Sequence, residues 1–288
     1  MSAAPVTDQA PQPRPFRIRP AAADVTVGEI LAFGRLLADR GYPAPKVLER
    51  IDALDVAATA AMATNASAQQ LDSDNLLDRD PQDVADLIQR STTYQAVQLA
   101  APMAVVNTLW GFQHRLAVLA AQAFATGSDL VVERMRTEFD EAVATVRTAL
   151  TAGITSNTDS AELLNTGTPA AITAWRELTA AVDALDRIAA LRHSLTDIVG
   201  VGPRDHPVAA FITNVRDSDA LDIAGTLLTG PTEWAQYHQG RGGGGFTFQR
   251  ATKRLGGPWL ALLTAGYTLR LNTGSEATKV VGHANGGG

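Results

Sequence analysis

The sequence predicts a mainly α protein, with an antiparallel helical hairpin or bundle as its core and a glycine-rich C-terminal region of short helices. Three observations predict this. Apolar residues recur in steps of three and four over long stretches, the spacing of one helix face. The apolar stock is mostly Ala, Leu, Val and Ile, with aromatics at only 6% of 288 residues, which suits closely packed helices better than a β-sandwich. Finally, 15 of the 24 glycines lie at or after Gly225, a density that long helices do not tolerate.

The elements follow in order. Residues 1–23 carry five prolines in the first 20 positions, with Arg14, Arg17 and Arg19 among them, and read as an extended, disordered arm. Residues 24–63 read as a helical pair. Thr26 and Glu29 have capping-box spacing, and Ile30, Phe33, Leu36 and Leu37 share one face. Gly41 stops that helix, and Pro43 and Pro45 turn the chain into a second one bearing Val47, Leu48, Ile51 and Leu54. A DNA-reading helix-turn-helix is disfavoured, because the second helix carries Glu49, Asp52 and Asp55.

Residues 64–80 are polar and acidic, and read as a linker. Asp72 and Asp74 open like a calcium loop, but the glycine and terminal glutamate that such a loop needs are absent. Residues 81–200 read as a long-helix bundle. Asp80 before Pro81 is a helix start, and Pro102 bends or interrupts the helix that follows. Val105, Leu109, Phe112, Leu116, Leu119 and Ala123 form a heptad-like seam. Val132, Phe139, Val143, Val146 and Leu150 continue a similar seam, broken by Arg136. Between them, Gly127 is read as a helix end and Ser128 and Asp129 as the next cap, so the two seams are expected to fold back on each other as an antiparallel hairpin. After a loop at 153–167, Thr168 and Pro169 start a third long helix, running from Trp175 through Leu178, Val182, Leu185, Ile188, Leu191 and Leu195 to Ile198. Residues 201–282 are expected to hold short helices near 206–215, 219–229 and 258–271, and 283–288 to be a disordered tail.

Chemistry has few candidates. Cysteine is absent, which removes disulfides, thiolate metal sites and cysteine nucleophiles. No Gly-x-Ser-x-Gly elbow or phosphate-loop lysine occurs, and Gly200-Val201-Gly202 runs into Pro203 instead of opening a dinucleotide-binding helix. The five histidines, His114, His193, His206, His238 and His283, include no pair three or four residues apart, so no metal site and no cofactor are expected. His114 falls off the apolar seam and is read as a surface residue. Arg204-Asp205-His206-Pro207 is the one acid–base candidate, Asp205 orienting His206 and Arg204 holding an anionic substrate, although an ordinary helix cap explains the same residues more simply.

The segment YHQGRGGGGFTFQRATKR at 237–254 is the other. Arg241 beside a glycine run, Phe246 and Phe248 as stacking residues, and Arg250, Lys253 and Arg254 for phosphates would suit a single-stranded nucleic acid. One such unit is weak, no βαββαβ frame surrounds it, and the favoured reading of 240–245 is a hinge loop.

The formal charge of -6 divides unevenly. From Arg241 onward six basic residues face the single acid Glu276, leaving +5 there and -11 on the first 240 residues. An acidic body with a basic end fits head-to-tail self-association or an anionic partner. The N-terminus lacks a secretory apolar core, and no run of the roughly 18 apolar residues that span a bilayer is seen. The expectation is therefore a non-enzymatic, cytoplasmic structural or interaction protein, with protein partners or its own copies; the alternatives are an enzyme that uses Asp205 and His206 on an anionic small substrate, and a weak nucleic-acid binder. Helical proteins with glycine-rich basic ends occur among phage and mobile-element assembly components, an analogy of type alone.

Overall fold

A computed structural model describes residues 25–63, 79–86, 88–89, 102–229 and 256–286. Among these residues the protein is helical, with one isolated antiparallel bridge between Ile212 and Leu269. The proline-rich arm, nearly all of the acidic linker and the segment 230–255 lie outside the described residues.

The N-terminal pair forms as its sequence predicts. Helix α1 spans Val27–Asp39 with a complete capping box: Glu29 N–H donates to Thr26 Oγ1 at 3.3 Å, and Thr26 N–H donates to the Glu29 carboxylate at 2.8 Å. Helix α2 spans Val47–Ala63 and buries Leu48, Ile51 and Leu54. Where Gly34 of α1 lacks a side chain, Leu48 of α2 and Phe124 of the next long helix close in, and a Cβ there would stand 2.6 Å from Leu48 Cδ1. Residues 81–86, 88 and 89 are helical, and the next described helix begins at Pro102; residues 90–101, where the approach to that proline falls, lie outside the described residues.

That next helix, α3, is the principal correction. It spans Pro102–Thr151, 50 residues, and runs through Gly127 without a turn. The two predicted seams are therefore one, and the hairpin placed at Gly127–Asp129 is not formed. The local reason is visible at Ser128: its hydroxyl donates back to Ala125 O at 3.0 Å instead of capping a new helix. The packing reason is larger. Leu116, Ala120, Phe124, Ser128, Val132, Met135 and Phe139 are buried in unbroken helical register across the glycine. The roughly 1 kcal/mol that a mid-helix glycine costs is small beside the burial of those side chains.

The antiparallel partner of α3 is instead the third predicted helix. After α4, Ser160–Thr166, a short helix inside the expected loop, α5 spans Pro169–Val199. Thr168 caps it by accepting from Ala171 N–H at 3.2 Å, and Gly200 ends it in the left-handed region at φ 76°. The ion pair Glu138–Arg187, with Asp129 acting on Arg192, fixes the opposite run of the two helices. Asp55 of α2 accepts from Gln113 of α3 at 3.0 Å, while Leu48 meets the level of Phe124, so α2 is antiparallel to α3 as well.

The C-terminal region packs on this bundle. A four-residue 3-10 turn, Pro207–Ala210, replaces the helix predicted at 206–215, because the residues after the turn bond across to the 268–272 segment, with Ile212 bridging Leu269, instead of to one another. Helix α6 spans Ser218–Thr229 and α7 spans Gly257–Thr264. The helix predicted to reach 271 stops at 264, since 268–272 is drawn out to pair with 210–213: Arg270 N–H donates to Phe211 O at 2.9 Å and Asn272 N–H to Ala210 O at 2.8 Å. Helix α8, Gly274–Ala284, was not foreseen, and it carries His283 where a disordered tail was expected. Phe139 of α3, Phe211 and Trp259 of α7 form the joint. Trp259 stands edge-on to both rings at 5.9 and 5.5 Å, and its indole N–H donates to Asp186 of α5 at 2.7 Å.

Candidate functional site

The polar residues that the fold concentrates lie where the end of α5, the loop 200–204 and the start of α8 meet. Arg192 is at their centre. It lies on the face of α5 that carries Ile188 and Leu195, and its side chain is 0% exposed. Its Nε donates to the main-chain oxygen of Asn272 at 3.0 Å, and its Nη1 donates to Thr196 Oγ1 at 2.8 Å and more weakly to Val201 O at 3.4 Å. The Thr196 hydroxyl in turn donates to Val201 O at 2.9 Å. Burial pulls the guanidinium down to about 10, opposed by the field of Asp129, which is exposed on α3. All three acceptors are neutral oxygens. Nη2 has no hydrogen-bond partner among the described residues.

Asn272, 1% exposed, is the second keystone. Its amide donates to Ala209 O and Ile212 O, each at 2.8 Å, while its main chain bonds Ala210 and Arg192. A third element closes the joint from α3. Arg136, which interrupts the sequence seam, donates from Nε to Leu271 O at 2.9 Å and from Nη2 to Glu276 of α8 at 2.7 Å. Burial alone would raise the Glu276 pKa. The Thr273 amide, Arg136 and Arg270 together hold it below the usual carboxylate range.

Beside this cluster His193, buried, pairs with Asp197 one turn on at 2.9 Å, and Arg204 donates to Asp197 O at 2.9 Å. Of the predicted acid–base residues, Asp205 is exposed and His206 is half-buried at the opening of the 3-10 turn, where its oxygen accepts from Ala209 N–H at 3.0 Å. Arg204, expected to face a substrate, is committed to the end of α5. His114 is exposed, as expected. Arg241, Phe246, Phe248, Arg250, Lys253 and Arg254 lie outside the described residues. Among the described residues no group of three or more His, Asp and Glu is placed to hold a metal ion.

Sequence reading missed Arg192, Asn272 and the His193–Asp197 pair. An arginine at an apolar seam position was the available signal, given by Arg192 between Ile188 and Leu195, and again by Arg136. Asn272 offered none, since its role depends on a strand-like pairing formed 60 residues away in sequence.

A second polar link joins the N-terminal pair to the bundle. Tyr42 donates to Glu138 at 2.5 Å, and Arg187 binds the other oxygen of the same carboxylate. Burial and then the Glu138 bond push the Tyr42 phenol up to about 12. Burial works to raise Glu138, but the bonds from Tyr42 and Arg187 win and hold it low.

The window of α3 within Asn107–Thr151 reaches a mean hydropathy of 1.3, long and apolar enough to cross a membrane by length and composition. In the fold, α3 carries the seam on which α1, α2, α5 and α7 pack. Comparison with protein-family models, curated proteins and solved structures finds no match for this chain.

Proposed function

We propose that this chain is a non-enzymatic helical interaction protein that associates with further copies of itself through the outer surface of its bundle. The observation that carries the reading is Trp110 of α3, 75% exposed, at the level of Val56 of α2, 63% exposed. The antiparallel run of α2 along α3 brings these two positions to one end of the bundle. A tryptophan left in water forgoes one of the largest burial gains of any side chain, and tryptophan is enriched where proteins bind one another. Two further features support the reading. The buried donors of Arg136, Arg192 and Asn272 are directed mainly at internal oxygens, which is structural work. The acidic first 240 residues and the basic remainder favour head-to-tail contact. A cytoplasmic location belongs to the same proposal.

Size-exclusion chromatography with light scattering, at low and high salt and with absorbance read at 260 and 280 nm, tests it. A mass above that of the 30.3 kDa chain is expected at both salts, falling toward the monomer in a Trp110→Ser, Val56→Ser variant. A clean monomer at both salts contradicts self-association. A monomer that sheds 260 nm-absorbing material at high salt would instead favour nucleic-acid binding through Arg241 to Arg254.

A further inference from the structure

The seam of α3 through Phe124 and Val132 takes α1, α2, α5 and α7, but the apolar window of this helix is only 44% buried. What is left uncovered lies on the opposite side. Leu130 is 58% exposed, Gln122, Thr126 and Glu133 are exposed, and Arg115, Leu119 and Ala123 are half-buried. These residues share one face for a geometric reason. At 3.6 residues per turn, 18 residues complete five turns, so Arg115 and Glu133 stand on one line along the helix. Gln122 and Thr126 fall within about 20° of that line, and Leu119 and Leu130 both lean to the same side of it.

The order of charges along this line selects what fits it. Arg115 stands at the N-terminal end and Glu133 at the C-terminal end, equally far from the level of Phe124. A second α3 laid antiparallel, with a twofold axis at that level, sets each Arg115 against the partner's Glu133. The same operation brings Leu119 beside the partner's Leu130 and Gln122 level with the partner's Thr126. Ala123 lets the two helices come close. A parallel pair would instead oppose arginine to arginine and glutamate to glutamate. A lipid surface would have to take both charges and the Gln122 amide out of water without partners. Burial of Leu119 and Leu130 supplies the attraction, while the two ion pairs fix direction and register. Glu133 gives one oxygen to Arg136 and has a second for this pair.

We propose that α3 pairs antiparallel with the α3 of a second copy across this face. The inference rests on the self-association proposed above and adds a contact separate from Trp110, which stands about 40° round the helix from Phe124, on the seam side.

The chain has no cysteine, so Thr126→Cys or Thr137→Cys, both at exposed positions, places a single spin label on the full chain. Pulsed dipolar spectroscopy then reads the distance between copies. Labels at 126 should lie within about 20 Å of each other, and labels at 137 about 40 Å apart, from the 1.5 Å rise per residue on either side of the axis. Leu130→Ser, at a position already in water, should keep the melting temperature and weaken association at least tenfold. Labels at 126 no closer than those at 137, in a chain that still oligomerises, would overturn this contact and leave association through Trp110 standing. Oligomers unaffected by Leu130→Ser would do the same. A monomer in light scattering with no dipolar signal would overturn both.

Discussion

The bundle and the C-terminal region are held by different forces. In α1, α2, α3 and α5 the interior is a continuous apolar seam, from Ile30 and Ile51 through Phe124 and Phe139 to Leu185 and Leu195. The region after Gly200 also buries apolar side chains, but its course is set by polar groups: Asn272 on three carbonyls, Arg192 on a fourth, and Arg136 bridging to Leu271 and Glu276. The difference teaches where a substitution is graded and where it is all-or-none. A trimmed apolar side chain leaves a cavity whose cost depends on collapse, whereas a lost buried donor leaves an unsatisfied carbonyl.

The largest effect is expected where the two regions share a core. Trp259→Ala removes the edge-on contacts to Phe139 and Phe211 together with the bond to Asp186, and should cost about 3–5 kcal/mol in denaturant unfolding. A loss under about 1 kcal/mol would mean that the regions are not packed as described. Next, Asn272→Ala should cost about 2–3 kcal/mol, because two buried carbonyls lose their donor.

Tyr42→Phe sharpens the comparison from the other side, since it removes a polar link that ties the bundle alone. About 1 kcal/mol is expected at neutral pH. The folded-state Tyr42 pKa is raised, to about 12, above the ordinary value of 10.0, so the neutral phenol stabilises the fold. That contribution is fully present below pH 10 and is lost as pH rises toward 12. The stability gap between wild type and Tyr42→Phe should therefore be flat from pH 7 to 9 and narrow above pH 10. Glu138 works with the opposite sign: its pKa is lowered, so its contribution is present above the ordinary carboxyl value of 4.5 and fades as pH falls below it. A gap that stays constant through both windows would rule out the Tyr42–Glu138 link as described.

Smaller still is Gly127→Ala. Nothing lies within 4 Å of a Cβ at this site, and the residue is inside α3, so the variant should gain about 0.5–1 kcal/mol. A loss of stability would point back to the turn that the sequence suggested. Smallest is Arg35→Ala, an exposed arginine whose partner Asp52 is half-buried at the surface, with less than about 0.5 kcal/mol expected from thermal unfolding.

The seams and the caps were legible in the sequence for physical reasons. Thr26 with Glu29, Thr168 with Pro169, and Gly200 are short-range signals, and each stands where its chemistry predicts. Gly127-Ser128-Asp129 carries the same local signals and misleads. A stop signal does not outweigh an apolar register that continues from Phe124 to Val131, Val132 and Met135. The register itself was readable; weighing it above the glycine was the missing step. After Gly200 the local signals fail differently. Nothing near Leu271 or Asn272 announces extended backbone, because that conformation is imposed by pairing with 210–213. The site candidates divide in the same way. Arg204, Asp205 and His206 stood out for their adjacency, while Arg192 and Asn272, which the fold brings together from 80 residues apart, did not.

The most direct test of the account is amide hydrogen exchange on the wild type and Asn272→Ala, resolved by peptide. The account predicts that the variant loses protection across 207–213 and 268–284, while α3 and α5 keep theirs. Equal loss in both regions, or none in either, would contradict the claim that buried polar keystones hold the C-terminal region onto a bundle that its apolar seam holds together.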